Sequence, residues 1–123
     1  MDESWNVLFK EHYLNLITAG RKSGKPHEVE LCFYYEKERI YMLSHKRESG
    51  LGTDWYQNLK TNKKCEIKIK GLTCNYEAIS LEADSKLSEF IEQKFIEKYG
   101  QAFYDTWYVS NKRFLVVLEL VHI

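Results

Sequence analysis

The segment Lys64-Cys65-Glu66-Ile67-Lys68-Ile69-Lys70-Gly71 carries the clearest structural signal in the chain. Apolar side chains at 65, 67 and 69 alternate with charged ones, which is the period-two pattern of a strand with one buried and one wet face. Gly71 predicts a turn, because glycine accepts positive φ angles. Residues 72–81 are predicted to form the partner strand, so the chain contains at least one antiparallel hairpin.

Four further strands are predicted around this hairpin, over residues 12–19, 27–35, 39–44 and 113–121. The first three look like an antiparallel meander, because a glycine-rich turn and the charged turn Glu36-Lys37-Glu38 separate them. Six short strands favour a closed or nearly closed barrel, since closure removes exposed strand edges. We expect a mainly β fold with some α structure, as one domain over residues 1–123.

Two helices are predicted at the edges of this barrel. The first begins at Thr53 or Asp54, whose side chains can cap a helix, and runs through Trp55 and Leu59. The second begins at Asp84 or Ser85 and ends at Gly100. The aromatic segment 101–110 follows it, so the barrel is flanked by two or three helices.

The composition excludes several classes of protein. The chain has 18 basic and 18 acidic residues, so no net charge indicates nucleic acid or an anionic membrane as a partner. No apolar run approaches the roughly 18 residues that cross a bilayer, and residues 1–10 are too polar for a signal peptide. The three cysteines have no close spacing and are expected to be reduced, which favours the cytoplasm. The histidines show no metal-ligand spacing.

The turn from Gly20 to Lys25 is the first candidate site. Three cations, Arg21, Lys22 and Lys25, accompany Ser23 and two glycines. A glycine turn can aim several backbone N–H groups at one point, and arginine adds a planar fork, which suits a phosphate or a carboxylate. A strand follows this turn, so it is not a P-loop. The residues alone also fit a solvated, charged hairpin tip.

The loop after Ser44 is the second candidate. It contains His45, Lys46 and Arg47 and precedes a helix start, where free amides favour anions. The alternative is a soluble loop without a ligand.

The aromatic segment is the third candidate, with Tyr99, Phe103, Tyr104, Trp107 and Tyr108. Tyrosine can donate a proton to a developing anion, and flat side chains line pockets for planar ligands. The alternative is that these side chains only cover the barrel as part of its core.

Three stretches together resemble the deazaflavin-dependent nitroreductase family: Leu16 to Pro26, Tyr41 to Ser44, and Asp54 to Lys60. That family has a split β-barrel fold, similar to the pyridoxamine-phosphate-oxidase-like FMN proteins. The resemblance covers residues 14–81 well and the last third loosely. The Gly-Arg-Lys-Ser-Gly turn and the Trp-Tyr-x-Asn-Leu helix carry it, and the pair is more specific than either motif alone.

The resemblance implies an oxidoreductase that delivers hydride from a reduced deazaflavin, of the 8-hydroxy-5-deazaflavin type, to a quinone, nitro or enone acceptor. It implies a two-fold homodimer and substrate-facing catalytic tyrosines, for which Tyr99 and Tyr104 are the candidates. Lys22 is implied to bind the cofactor phosphate. The full set implied to bind the cofactor is Arg21, Lys22, Ser23, Lys25, His27, Ser44, His45, Lys46, Trp55 and Asn58.

The chain departs from the family pattern at His27, where an arginine is usual, and in the loop after Ser44, which is one residue longer. Thr53-Asp54 also stands where a proline is common. Two alternatives therefore stay open. One is a split-barrel protein that uses FMN, and the other is a small-ligand-binding barrel without catalysis, since a fold alone does not define a function.

Overall fold

The computed structural model describes residues 10–45, 53–81, 85–107 and 113–121. Seven strands lie in these ranges: β1 (Tyr13–Ala19), β2 (Pro26–Cys32), β3 (Tyr34–Glu36), β4 (Arg39–His45), β5 (Lys64–Ile69), β6 (Leu72–Ser80) and β7 (Arg113–Leu120). Three helices accompany them: α1 (Asp54–Thr61), α2 (Ser85–Tyr99) and α3 (Gln101–Trp107).

The strands form one curled antiparallel sheet in the order β2-β1-β5-β6-β7-β4-β3. Its two edge strands, β2 and β3, are consecutive in the chain and separated by Phe33. This run therefore connects both edges of the sheet, which confirms the predicted split barrel.

The predicted count of six strands needs one correction, because the strand expected over residues 27–35 is two strands. The chain leaves β1 after Cys32 and pairs with β4 from Tyr34 onwards. The predicted three-strand meander is interrupted at the same point, since β4 pairs with β3 and β7.

Two of the predicted hairpin turns contain consecutive residues with positive φ. Lys37 and Glu38 (φ 50° and 66°) join β3 to β4, and Lys70 and Gly71 (φ 50° and 84°) join β5 to β6. Two central residues with positive φ match the twist of antiparallel strands. The hairpin predicted over residues 64–81 is thus confirmed.

The barrel interior is filled by apolar side chains. Trp55, Tyr56 and Leu59 of α1 pack into it, so this helix belongs to the core. Phe33 and the strands contribute the rest of the cluster, the strand residues being Leu14, Leu16, Ile40, Met42, Cys65, Ile67, Ile69, Tyr76, Ala78, Val116 and Leu118. A ligand must consequently bind outside the barrel.

A second core covers the outer face of β4 and β7. Tyr41 and Leu43 of β4 pack there against Ile91 and Phe95 of α2, together with Tyr104 of α3. Gly100, with φ 94°, separates the two helices, which confirms the predicted end of the long helix. The segment predicted only as aromatic contains α3, whose buried Tyr104 is held in this core.

The C-terminal end of α2 stabilises the interruption between β2 and β3 at Phe33 by hydrogen bonds. The Tyr99 hydroxyl accepts a hydrogen bond from the Phe33 N–H at 2.9 Å, and the Lys98 ammonium donates to the Phe33 carbonyl at 2.9 Å. Lys98 Nζ also lies 3.5 Å from the centroid of the Phe33 ring. Burial lowers the pKa of Lys98 to about 8, partly offset by Cys32. These contacts stabilise the corner at which the chain changes edge.

Candidate functional site

The turn between β1 and β2 is closed by its own backbone. The Gly20 N–H donates to the Lys25 carbonyl at 2.8 Å, and the Gly24 N–H donates to the Gly20 carbonyl at 2.7 Å. A Cβ atom at position 20 would lie 2.8 Å from Ser23 Oγ, and Gly24 has φ +72°. The positive φ of Gly24 is a backbone conformation that favours glycine, whereas a side chain at position 20 would crowd the Ser23 hydroxyl. The turn folds the polar residues between the two glycines into a compact loop.

Asn58 of α1 connects this turn to the helix. Its side-chain oxygen accepts hydrogen bonds from the Arg21 backbone N–H at 3.1 Å and from Arg21 Nη1 at 3.0 Å. Its side-chain nitrogen donates to Thr18 Oγ1 at 3.0 Å. Asn58 and Thr18 are each 2% exposed, so these bonds are shielded from water. Asn58 thus fixes both the backbone and the side chain of Arg21.

A pocket of about 260 Å³ lies beside the turn. Two cations and one carboxylate belong to its lining, and the carboxylate is Asp54, whose Oδ1 lies 3.3 Å from Arg21 Nη2. Among the described residues, the buried Nδ1 atom of His27 has no hydrogen-bond partner. The lining consists of Gly20, Arg21, Lys22, Ser23, His27, Asp54 and Asn58.

These groups fit the phosphate of a cofactor. Lys22 supplies a charge, and a buried ring nitrogen without a partner is costly until a ligand or water bonds to it. The structure thus brings Arg21, Lys22, Ser23, His27 and Asn58 together. Lys25 lies in the same turn, exposed and outside the pocket lining.

The end of β4 is tied to the start of α1. The Ser44 hydroxyl lies 2.8 Å from the Thr53 hydroxyl and accepts a hydrogen bond from the Thr53 N–H at 3.2 Å. Thr53 is the residue that precedes α1, and its side chain makes no capping bond to the helix. Ser44 is fully buried and so positions α1. His45 is the last residue of β4, and Lys46 lies outside the described residues.

Trp55 and the two tyrosines lie away from the pocket lining. Trp55 is 5% exposed and packs in the barrel interior. Tyr104 belongs to the core on the outer face of β4 and β7, and Tyr99 packs against the same core. The Tyr99 hydroxyl also contacts the carbonyls of His12 and Phe33. The cofactor contact of Trp55 and the catalytic roles of the tyrosines stay predictions.

Sequence reasoning missed Asp54 and Thr18 as parts of the site. The sequence indicates Asp54 as a possible helix cap and as part of the family resemblance, whereas in the structure it also pairs with Arg21 in the pocket lining. Thr18 reads as an ordinary strand residue, and only its contact with Asn58 reveals its role. Neither contact has a local sequence signal, because the partners are 33 and 40 positions apart.

A larger cleft of about 430 Å³ also borders this turn. Its lining includes Gly24 and Pro26, together with Lys64, Glu66 and Glu77 of the neighbouring strands. Cys65 also lines it, but burial raises the pKa of this thiol to about 12, so the thiol is unreactive at neutral pH. The cleft offers space next to the turn for the body of a ligand.

The described ranges offer neither a metal-ligand cluster nor a membrane-spanning helix. They contain no group of three or more His, Cys, Asp or Glu side chains that could hold a metal ion. No helix within them is long and apolar enough to cross a membrane.

Comparison with known families gives a match over most of the chain. The family model of F420H(2)-dependent quinone reductase matches residues 6–119. The match includes the turn, α1 and the sheet except Leu120, the last residue of β7.

Solved structures share the fold at low sequence identity. An F420 reductase is 15% identical, with a TM-score of 0.75 over 99% of this chain and 97% of that one. A candidate pyridoxamine 5′-phosphate oxidase from Listeria innocua is 16% identical, with a TM-score of 0.70 over 98% and 93%. A structure described as a domain-swapped dimer is 18% identical, with a TM-score of 0.67 over 95% and 94%.

Proposed function

Because the chain belongs to the F420H(2)-dependent quinone reductase family, we propose that it reduces a quinone, nitro or enone acceptor with the reduced deazaflavin F420. Membership makes the protein a deazaflavin-dependent oxidoreductase. The bound coenzyme supplies the hydride, and the protein binds and orients it.

The observation that carries the proposal is the pocket beside the glycine turn. It combines Lys22, the loop from Gly20 to Ser23 and the His27 ring nitrogen that has no partner among the described residues. A phosphate there would accept hydrogen bonds from the Lys22 ammonium and from a protonated His27 Nδ1. The 430 Å³ cleft that also borders the turn provides space for a further part of the coenzyme or for the acceptor.

We also propose that the protein is a homodimer of the reducing cytoplasm. The outer face of β4 and β7 is covered by α2 and α3, whereas residues of β1, β5 and β6 line the open cleft. Symmetric dimers are the commonest oligomers, and one solved structure with this fold is a domain-swapped dimer. Light scattering should give twice 14.7 kDa, and a mass of 14.7 kDa would contradict the dimer.

A fluorescence titration tests the cofactor. The purified protein is titrated with oxidised F420 and, separately, with FMN. We expect tight binding of F420 and weaker binding of FMN. Preference for FMN would support the flavin-binding alternative, and binding of neither would support a barrel without this chemistry.

A turnover assay tests the acceptor. The reduced coenzyme is mixed with the protein and with a quinone, a nitroaromatic compound or an enone in parallel. We expect coenzyme oxidation that depends on both protein and acceptor. If F420 binds but none of the three acceptors is reduced, the acceptor class is wrong while the cofactor assignment stands.

A further inference from the structure

A carboxylate is an unexpected group in a pocket that binds an anion. Asp54 lies in the lining with Lys22, Arg21 and His27, and its side chain is 50% exposed. It is the first residue of α1, where an acidic side chain also interacts favourably with the helix dipole. The Asp54 carboxylate thus stabilises the helix. The same carboxylate also acts on any anion bound in the pocket.

The position of Arg21 determines the charge that a ligand meets. Asn58 holds Arg21 Nη1, and Asp54 pairs with Arg21 Nη2, so the guanidinium is already matched by a carboxylate of the protein. Of the described lining residues that keep their charge across neutral pH, two are cations and one is an anion. Their sum is one positive charge, since Lys22 remains after Arg21 and Asp54 cancel.

We propose that Asp54 biases this pocket towards a phosphodiester and against a phosphomonoester. Coulomb repulsion by a carboxylate grows in proportion to the charge of the ligand. A phosphodiester carries one negative charge, whereas a phosphomonoester carries close to two at neutral pH. At the same position, the Coulomb repulsion from Asp54 is therefore about twice as large for the monoester as for the diester.

This inference rests on the proposed function, and it bears on the choice between the two coenzymes. The phosphate of F420 is a diester, whereas that of FMN is a monoester. Asp54 is thus a specificity-determining residue, which disfavours FMN more than it disfavours the deazaflavin.

The first test compares dissociation constants for F420 and FMN at low salt in the wild type, Asp54→Asn and Glu28→Gln. Both substitutions remove one negative charge, but Glu28 lies outside the pocket lining and bonds to Asn15. We expect Asp54→Asn to tighten FMN binding about three- to ten-fold and F420 binding less. Added salt should reduce the difference, because it screens a half-exposed charge.

Two results would overturn the inference. One is an unchanged ratio of the two dissociation constants in Asp54→Asn. The other is an equal change of that ratio in Glu28→Gln, which would show an effect of net charge alone.

A second test uses methyl phosphate and dimethyl phosphate as probes and follows the His27 ring protons by NMR. Asp54→Asn should favour methyl phosphate relative to the wild type at about pH 7.5, where this monoester is mostly doubly charged. If this shift occurs but neither coenzyme binds, the proposed function fails and the inference stands. If neither ester binds, or the preference is unchanged, the inference fails whatever the coenzymes do.

Discussion

The glycine turn and the barrel corner at Phe33 differ in how their polar atoms are bonded. At the turn, the buried Nδ1 of His27 has no partner among the described residues, beside a pocket of about 260 Å³. At the corner, the Tyr99 hydroxyl contacts backbone groups of Phe33 and His12, and Lys98 bonds to Phe33. Both regions contain residue types common in active sites. Of the two, the turn has a buried side-chain atom without a hydrogen-bond partner among the described residues, and a pocket lies beside it.

The largest expected effect is that of Asn58→Leu, which would break the connection between the turn and α1. It leaves the Thr18 hydroxyl and the Arg21 N–H without their partner, so we expect a loss of about 2–4 kcal/mol in the free energy of unfolding. Binding of F420 should weaken as well, because Arg21 is no longer held. Urea denaturation and fluorescence titration measure the two effects.

Leu59→Ala is the matched control for Asn58→Leu. Leu59 is the next residue of α1 and packs in the barrel core, so its truncation should cost about 2–5 kcal/mol. The folded protein should still bind F420 with wild-type affinity. Equal loss of affinity in both variants would show that Asn58 matters only for stability.

Lys22→Ala tests the contact between the glycine turn and the coenzyme. Loss of a charge-assisted contact should weaken F420 binding by about 1.5–3 kcal/mol, or roughly 10- to 150-fold, with little change in unfolding. Lys25→Ala measures the long-range part of the effect, since Lys25 is in the same turn but outside the pocket lining. Unchanged F420 affinity in Lys22→Ala would show that the phosphate does not bind in this pocket.

Tyr99→Phe tests the corner, where we expect the opposite pattern. It removes the hydroxyl that bonds Phe33, so the free energy of unfolding should fall by about 1–3 kcal/mol while F420 affinity stays unchanged. Tyr13→Phe serves as the control, because Tyr13 is 44% exposed and packs near the Tyr99 ring. A large loss of turnover with unchanged stability would instead support the predicted catalytic role of Tyr99.

The smallest expected effect is a pH dependence from Lys98. Its pKa is about 8 in the folded state, against 10.5 for an unperturbed lysine. Between these values the unfolded chain binds more protons, so the free energy of unfolding gains a positive slope with pH. Denaturation at several pH values should show a smaller slope in Lys98→Met than in the wild type. An equal slope would mean that the ammonium is not desolvated at the corner.

Much of the fold could be predicted from local patterns. Alternation at residues 64–70 determines a half-buried strand, and Gly100 determines a helix end. The break at Phe33 was not predictable, because the apolar pattern over 27–35 continues through it. The strand is interrupted because residues up to Cys32 pair with β1, whereas residues from Tyr34 pair with β4.

The candidate site likewise has residues that the sequence predicts and contacts that it does not. Arg21, Lys22, Ser23 and His27 are close in sequence, and a glycine turn brings them together through short-range geometry, so the local sequence is enough to define this basic loop and to predict that it binds an anion. The contacts of Asp54 and Asn58 with that loop, and of Tyr99 with the barrel corner, are visible in the folded chain alone. These contacts depend on packing between distant segments, and packing has no signature in the local order of residues.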